Sequence, residues 1–194
     1  MRYFSLTVLL TLSLLAGCAS IAPVLSQKEA ADTGSGYLSG LFTRMKSRGF
    51  AFVVKDTNTG REFSMPLGED SVLPTETRDQ TVAIKLPPGR YEVTQWITYA
   101  TMTREIMSRK PVTNPILSQP FEITAGGVVH LGSYDISQSV YSSYPGITTS
   151  LRIQPRPFSQ ADVKKAFSET YPNLNSLQFR CILCTDTVGL NSSL

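Results

Sequence analysis

Apolar residues alternate with polar ones through most of the middle of this chain. Phe50, Phe52 and Val54 alternate, the polar run Asp56-Thr57-Asn58-Thr59-Gly60 interrupts, and Phe63, Met65 and Leu67 alternate again. A period of two sends successive side chains to opposite faces of a strand, so this stretch predicts a hairpin of two half-buried strands. Val82, Ile84 and Leu86 make the next run, and Tyr91, Val93, Ile97 and Tyr99 read as its return. Between them Pro88 and Gly89 suit the central positions of a type II turn, in which proline presets one φ and glycine takes the positive one. Gly36–Thr43, Phe121–Ile123, Val128–Ile136 and Thr148–Ile153 read as further strands, with a turn at Ala125-Gly126-Gly127. Residues 68–80 read as an acidic loop, 100–117 as a long connection or ragged edge strand, and 137–150 as a polar loop.

The period changes once. Over 158–171, Val163, Ala166, Phe167 and Thr170 follow a three-four spacing, Ser159 and Asp162 make a near capping box, and Pro172 stops the run. An isolated helix of this length is marginal in water, so its apolar stripe must bury against a sheet. Trp96 has the opposite parity to Tyr91 and Val93. It is therefore the expected contact on an outer sheet face, with residues 177–184 following the helix.

Seven to eight short strands separated by turn signals predict a mainly β fold: an antiparallel β-sandwich over residues 36–154, with a C-terminal segment 155–194 carrying the helix packed on it. The runs Leu86-Pro-Pro-Gly-Arg-Tyr91 and Phe121-Glu-Ile-Thr-Ala-Gly-Gly-Val-Val-His-Leu-Gly132 resemble those of proteobacterial lipoproteins with a transthyretin-like β-sandwich domain. That resemblance implies a transthyretin/immunoglobulin-like sandwich and carries no activity with it. The Arg-x-Tyr-Gln-Leu-type strand of the type VI secretion lipoprotein is not found in this sequence.

The N-terminus supports the same grouping. Arg2 precedes an apolar run from Leu6 to Leu15 that is too short to span a bilayer, and Leu15-Ala16-Gly17-Cys18 resembles the lipobox of bacterial lipoproteins. The resemblance implies that residues 1–17 are a signal peptide and that Cys18 becomes the mature terminus, with diacylglycerol on its thiol and palmitate or a similar chain on its amine. Each buried methylene contributes ~0.8 kcal/mol, so several chains anchor the protein stably. Ala19 and Ser20 follow the cysteine in place of an aspartate, which implies the outer membrane, with the domain facing the periplasm. Pro23, Ser26, Gly34 and Ser35 make residues 18–35 read as a flexible tether, reaching ~55 Å when fully stretched.

The chain's net charge of +3 includes Arg2, so the mature protein is less positive still, too weak and scattered for nucleic acid. The clusters Arg44/Lys46/Arg48 and Arg104/Arg109/Lys110 read as solvated loop charges ahead of contacts with anionic lipid heads. With Cys18 assigned to lipid, Cys181 and Cys184 remain. In an oxidising compartment a small structural disulfide is the favoured reading, ahead of free thiols and of redox or metal chemistry.

Little in the sequence carries catalysis. His130 is the single histidine and lies mid-strand, where a structural imidazole is the better reading. Ser39 in Gly36-Tyr-Leu-Ser-Gly40 does not fit a nucleophile elbow. Asp56-x-Asn58-x-Gly60 lacks the later ligands of a calcium loop, and the acids of the 69–79 loop read as solvated. The chain thus reads as a non-enzymatic binding or adaptor module that needs no cofactor or metal. Its membrane contact is through the lipid on Cys18, and another envelope protein is the expected partner. Tyr141 and Tyr144, rigid rings among serines, are the candidate partner contacts. The alternatives are a periplasmic carrier of a small apolar ligand and an enzyme with an unrecognised site.

Overall fold

The computed structural model describes residues 21–45, 49–70, 76–143 and 146–186. Ten strands and one α-helix follow in chain order: β1 (Gly36–Met45), β2 (Gly49–Asp56), β3 (Glu62–Pro66), β4 (Thr77–Leu86), β5 (Gly89–Tyr99), β6 (Ile106–Pro111), β7 (Phe121–Ile123), β8 (Gly127–Ser143), β9 (Gly146–Arg156), α1 (Gln160–Thr170) and β10 (Gln178–Cys181). They form two five-stranded sheets. Sheet I has the order β3-β2-β5-β6 with β7 also on β5, and sheet II has the order β10-β8-β1-β4 with β9 also on β8. Leu38, Phe42, Ile84 and Leu131 from sheet II meet Phe50, Phe52, Val54 and Val93 from sheet I in one buried core. Phe42 stands edge-on to Phe52 at 5.9 Å and stacks on Tyr134 at 6.0 Å, which ties the two sheets together at their centre.

The mainly β character, the paired layers and the β2–β3 hairpin match expectation, but the strand count is ten. The additional strands come from segments read as irregular: β6 lies within 100–117, β4 starts at Thr77 inside the acidic loop, and β10 follows the helix. Sheet II is also mixed, because β1 and β10 both run parallel to β8. Turn residues report only strands adjacent in the chain, and a parallel pair joins distant ones, so no local signal marks it.

The segment 82–99 departs furthest from its reading as a hairpin. β4 pairs with β1 in sheet II whereas β5 pairs with β2 in sheet I, so Pro87-Pro88 is a corner between layers. Prolines have no N–H with which to extend a ladder, and Gly89 opens β5 without a positive φ. Tyr91 pins the corner, its hydroxyl donating to the Pro87 carbonyl at 2.8 Å, which gives the motif from Leu86 to Tyr91 a structural purpose. Residues 137–150 are likewise not a loop. β8 pairs with β9 from Ser133↔Arg156 to Ser143↔Gly146, while its pairing with β1 ends at Ile136↔Arg44. Beyond Ser137 the hairpin therefore continues as a two-stranded ribbon past the edge of β1.

Ser159 caps α1, accepting from the Asp162 amide at 3.2 Å while Asp162 accepts from the Ser159 amide at 3.3 Å, so aspartate completes the box. Phe167 and Val163 are buried, Phe167 with Tyr37, Ala83 and Val128 and Val163 with Leu41, all on the outer face of sheet II. The helix thus covers sheet II, and Trp96 in sheet I packs toward the inter-sheet core. The cause is a bulge: Val53 pairs with Gln95 but Val54 pairs with Val93, leaving Thr94 unmatched. One extra residue inverts the parity beyond it, turning Trp96 inward and Ile97 and Tyr99 outward. Phe167→Ala is expected to lower stability by about 3 kcal/mol, the cost of truncating a buried aromatic, readable as a drop in urea midpoint. An unchanged midpoint would show the helix to be loosely attached.

Residues 21–35 are not a free tether. Ile21 forms a parallel bridge with Ser64, the Ala22 amide donates to Ser64 at 3.1 Å, and the Leu25 amide donates to Ala83 at 2.9 Å. Asp32 pairs with Lys85 at 2.6 Å and its amide donates to the Tyr37 hydroxyl at 2.8 Å. The segment crosses from sheet I to the helix-covered side of sheet II, where Leu25 joins the cluster around Phe167. Composition identified its polarity, but backbone hydrogen bonds to two sheets decide its order.

Candidate functional site

One end of the sandwich holds a cluster of charges. Arg44 occupies the inward-facing parity of β1, after Leu38 and Phe42, yet its side chain is only 2% exposed. Its guanidinium lies over the Phe50 ring at 5.4 Å, donates to the Glu69 carbonyl at 3.3 Å, and stands 3.7 Å from the Asp70 carboxylate. Asp70 in turn accepts from the Tyr99 hydroxyl at 2.8 Å and sits 3.5 Å from the Arg104 guanidinium. Arg104 also donates to the Tyr99 oxygen at 3.4 Å and lies over its ring.

Two backbone features hold this arrangement. Gly49 lies directly beneath Tyr99, where a β-carbon would come within 2.1 Å of the ring, so only glycine admits the phenol there. Arg104 takes a φ of 59°, a left-handed conformation that costs a non-glycine residue of order 1 kcal/mol or more and persists where surroundings over-determine it. Here the contacts with Asp70 and Tyr99 supply that determination.

Burial pushes the Asp70 carboxyl above the ordinary carboxylate range, against the pull of Tyr99, Arg44 and Arg104. Burial also lowers the Arg44 guanidinium, opposed by Asp70 and Tyr99, and raises the Tyr99 phenol, reinforced by the Asp70 charge. The cluster is internally committed: each ionised group faces a counter-charge or a hydrogen bond. Its chemistry is that of a clasp, which joins β1, β5 and the connections after β3 and β5, and leaves the half-exposed Arg104 guanidinium as its outward charge.

These residues correct the sequence reading, in which Arg44 and Asp70 were solvated loop charges. The signal was present in the parity of Arg44, which shares its face with Leu38 and Phe42. Nothing local marks Asp70 or Tyr99 as its neighbours, since their approach depends on the Thr94 bulge that turns Tyr99 outward.

Cys18 lies outside the described residues, as does Tyr144. Tyr141 stands in β8 opposite Thr148, and its side chain is outside the described set. Cys181 and Cys184 are joined as a disulfide with Cα atoms 5.7 Å apart, fully buried with Leu41 and Val163 beneath α1. His130 stands in register with Cys181 on one side and Ser39 on the other. It is fully buried, accepts from the Gly132 amide at Nδ1 (3.0 Å), and packs on Phe179, so the neutral ring carries its hydrogen on Nε2. Desolvation pushes its pKa down to about 3. Ser39 donates to the Val82 carbonyl at 2.9 Å and not to the imidazole. The Asp56 carboxylate accepts from the Asn58 and Thr59 amides at 2.8 and 3.1 Å, the chemistry of a turn.

The sequence matches no family model and no curated protein. Among solved structures, a leucine-rich repeat protein from Bacteroides thetaiotaomicron VPI-5482 aligns with a TM-score of 0.34 and 10% identity, over 63% of this chain and 21% of its own. The matched region is thus about a fifth of that protein.

Proposed function

We propose that this chain is a lipid-anchored envelope protein, held in the outer membrane on the periplasmic side. Its transthyretin-like sandwich serves as a non-enzymatic binding or adaptor module. The observation that carries the reading is Leu15-Ala16-Gly17-Cys18 placed three residues ahead of Ile21, where the chain joins sheet I. Anchor and folded domain thus adjoin almost without a spacer. The adaptor role draws on the β8–β9 ribbon, a Ser- and Tyr-rich hairpin whose outer half pairs with no third strand among the described residues. Such a projecting ribbon suits contact with a second envelope protein, with Tyr141 and Tyr144 as its aromatic contacts.

Cys18→Ser expressed in the native cell is expected to leave the membrane fraction and appear in the soluble or unprocessed pool. A variant that still fractionates with the outer membrane after a salt wash would refute the lipid anchor. For the binding role, a photo-crosslinking residue at Tyr141 is expected to give one discrete adduct in intact cells. Adducts no different from those at an exposed helix position such as Lys164 would count against the ribbon as the partner surface.

A further inference from the structure

We infer that this chain pairs with a second copy of itself through the free edge of β8, the two β8–β9 ribbons joining about a twofold axis as one four-stranded antiparallel sheet. The inference rests on the reading of the ribbon as an interaction surface and assigns an occupant to its backbone edge. From Ser133 to Ile136, β8 is paired on both sides, by β1 and by β9. The pairing with β1 stops at Arg44↔Ile136 and β1 itself ends at Met45, whereas β9 continues to Ser143↔Gly146. Over residues 137–143 the side of β8 turned toward the β1 lane therefore carries backbone N–H and C=O groups that meet no strand among the described residues. A two-stranded ribbon is marginal in water, and further strands are what make such a segment stable. A copy of the same edge supplies two of them through one isologous contact.

The other sheet edges are guarded, and this one is not. Ile21 bridges β3 and the Leu25 amide donates to Ala83 on β4, so the N-terminal segment reaches both edges on that side. β6 carries Arg109, Lys110 and Pro111, the base of β9 carries Arg152, Pro155 and Arg156, and β7 is three residues long. On β10 the Cys181 amide is taken by the Gln160 side chain at 3.0 Å. Charges, prolines, short strands and covering segments are the means by which proteins keep strand edges from pairing. From Ile136 to Leu151 there is no charged residue, and the one proline, Pro145, lies between the two strands. Two copies of this edge meet without opposing like charges. Self-pairing also fixes a register rule. Both copies turn the same alternate residues toward the shared edge, so an antiparallel pair must place one residue opposite itself. With β1 ending at Met45, that residue falls within 140–142. Met45, 47% exposed, stands at the end of the lane that the copy's strand enters.

Cysteine variants of the full chain, Ser139→Cys, Val140→Cys, Tyr141→Cys and Ser142→Cys, oxidised with copper phenanthroline in membranes of the native cell, test the pairing. A disulfide-linked dimer of twice the protein's mass is expected, strongest at one position and weaker on either side, with none from Lys164→Cys on α1. No dimer from any of the four, or equal yields at all four and at 164, overturns the inference. In a second measurement residues 140–149 are replaced by Asn-Gly, which closes the ribbon after the Ser139↔Ser150 pair with a two-residue turn. The lipidated full chain in detergent is expected to sediment as a dimer and the shortened variant as a monomer, with the urea midpoint reporting an intact sandwich. A monomeric wild type, or a shortened variant that stays dimeric, refutes the ribbon as the join. If the shortened chain does not fold, Tyr141→Lys takes its place: like charges set against each other are expected to weaken the dimer about fivefold, and an unchanged dissociation constant overturns the inference. A photo-adduct at 141 of twice the protein's mass belongs to this pair and one of any other mass to an envelope partner, so the two readings fail separately.

Discussion

Acidification from pH 6.5 to pH 3 is expected to destabilise the fold by about 4 kcal/mol through His130 alone. The imidazole is fully buried, its Nδ1 already accepts the Gly132 amide, and among the described residues no counter-charge stands beside it. Its folded pKa of about 3 lies below the ordinary 6.5, so the unfolded chain takes the proton first. The stabilisation is complete above the unfolded value and is lost as pH falls, with a slope approaching ~1.4 kcal/mol per pH unit. A total on this scale is comparable to a large share of a typical domain's stability. Urea unfolding across the pH series, for wild type and for His130→Gln, isolates the term because carboxylates such as Asp32 contribute to both proteins. Parallel pH profiles for the two would disprove the linkage.

Arg44→Ala is expected to cost about 3–5 kcal/mol, as when one member of a buried ion pair is removed. The loss combines three effects: Asp70 is left in a low-dielectric site with one cation fewer, the ring contact with Phe50 disappears, and a cavity opens at an inward position of β1. Arg44→Met combined with Asp70→Leu removes both charges and retains volume, and its expected stability lies within about 2 kcal/mol of wild type. The comparison tests the clasp as an electrostatic unit. If the single variant lost less than the double variant, burial of the pair would not be what makes Arg44 matter.

Local chemistry accounts for the features that the sequence predicts well. The β2–β3 hairpin follows from alternation on either side of Asp56, whose carboxylate organises the turn. The helix follows from Ser159, Asp162 and Pro172, each acting within four residues of its partners. The predicted contact at Trp96 fails because parity was counted through Thr94, and a bulge is a property of two paired strands. The 82–99 hairpin fails for a related reason. Leu86 and Tyr91 reach the same core whether their strands lie side by side or face to face, and alternation reads identically in both cases.

Taken by itself, the sequence determined the mainly β composition, the capped helix and its obligation to bury Phe167. These are set by intervals of a few residues, where steric preference, capping and hydrophobic period act directly. Only the tertiary structure decided that β4 and β5 belong to different sheets, that β1 and β10 run parallel to β8, and that α1 covers sheet II. It alone drew residues 21–35 onto the domain and gathered Arg44, Asp70, Tyr99 and Arg104 at one end. Those outcomes depend on which distant backbones exchange hydrogen bonds and on where one unmatched residue reverses a face, and both are fixed by the packing of the whole chain.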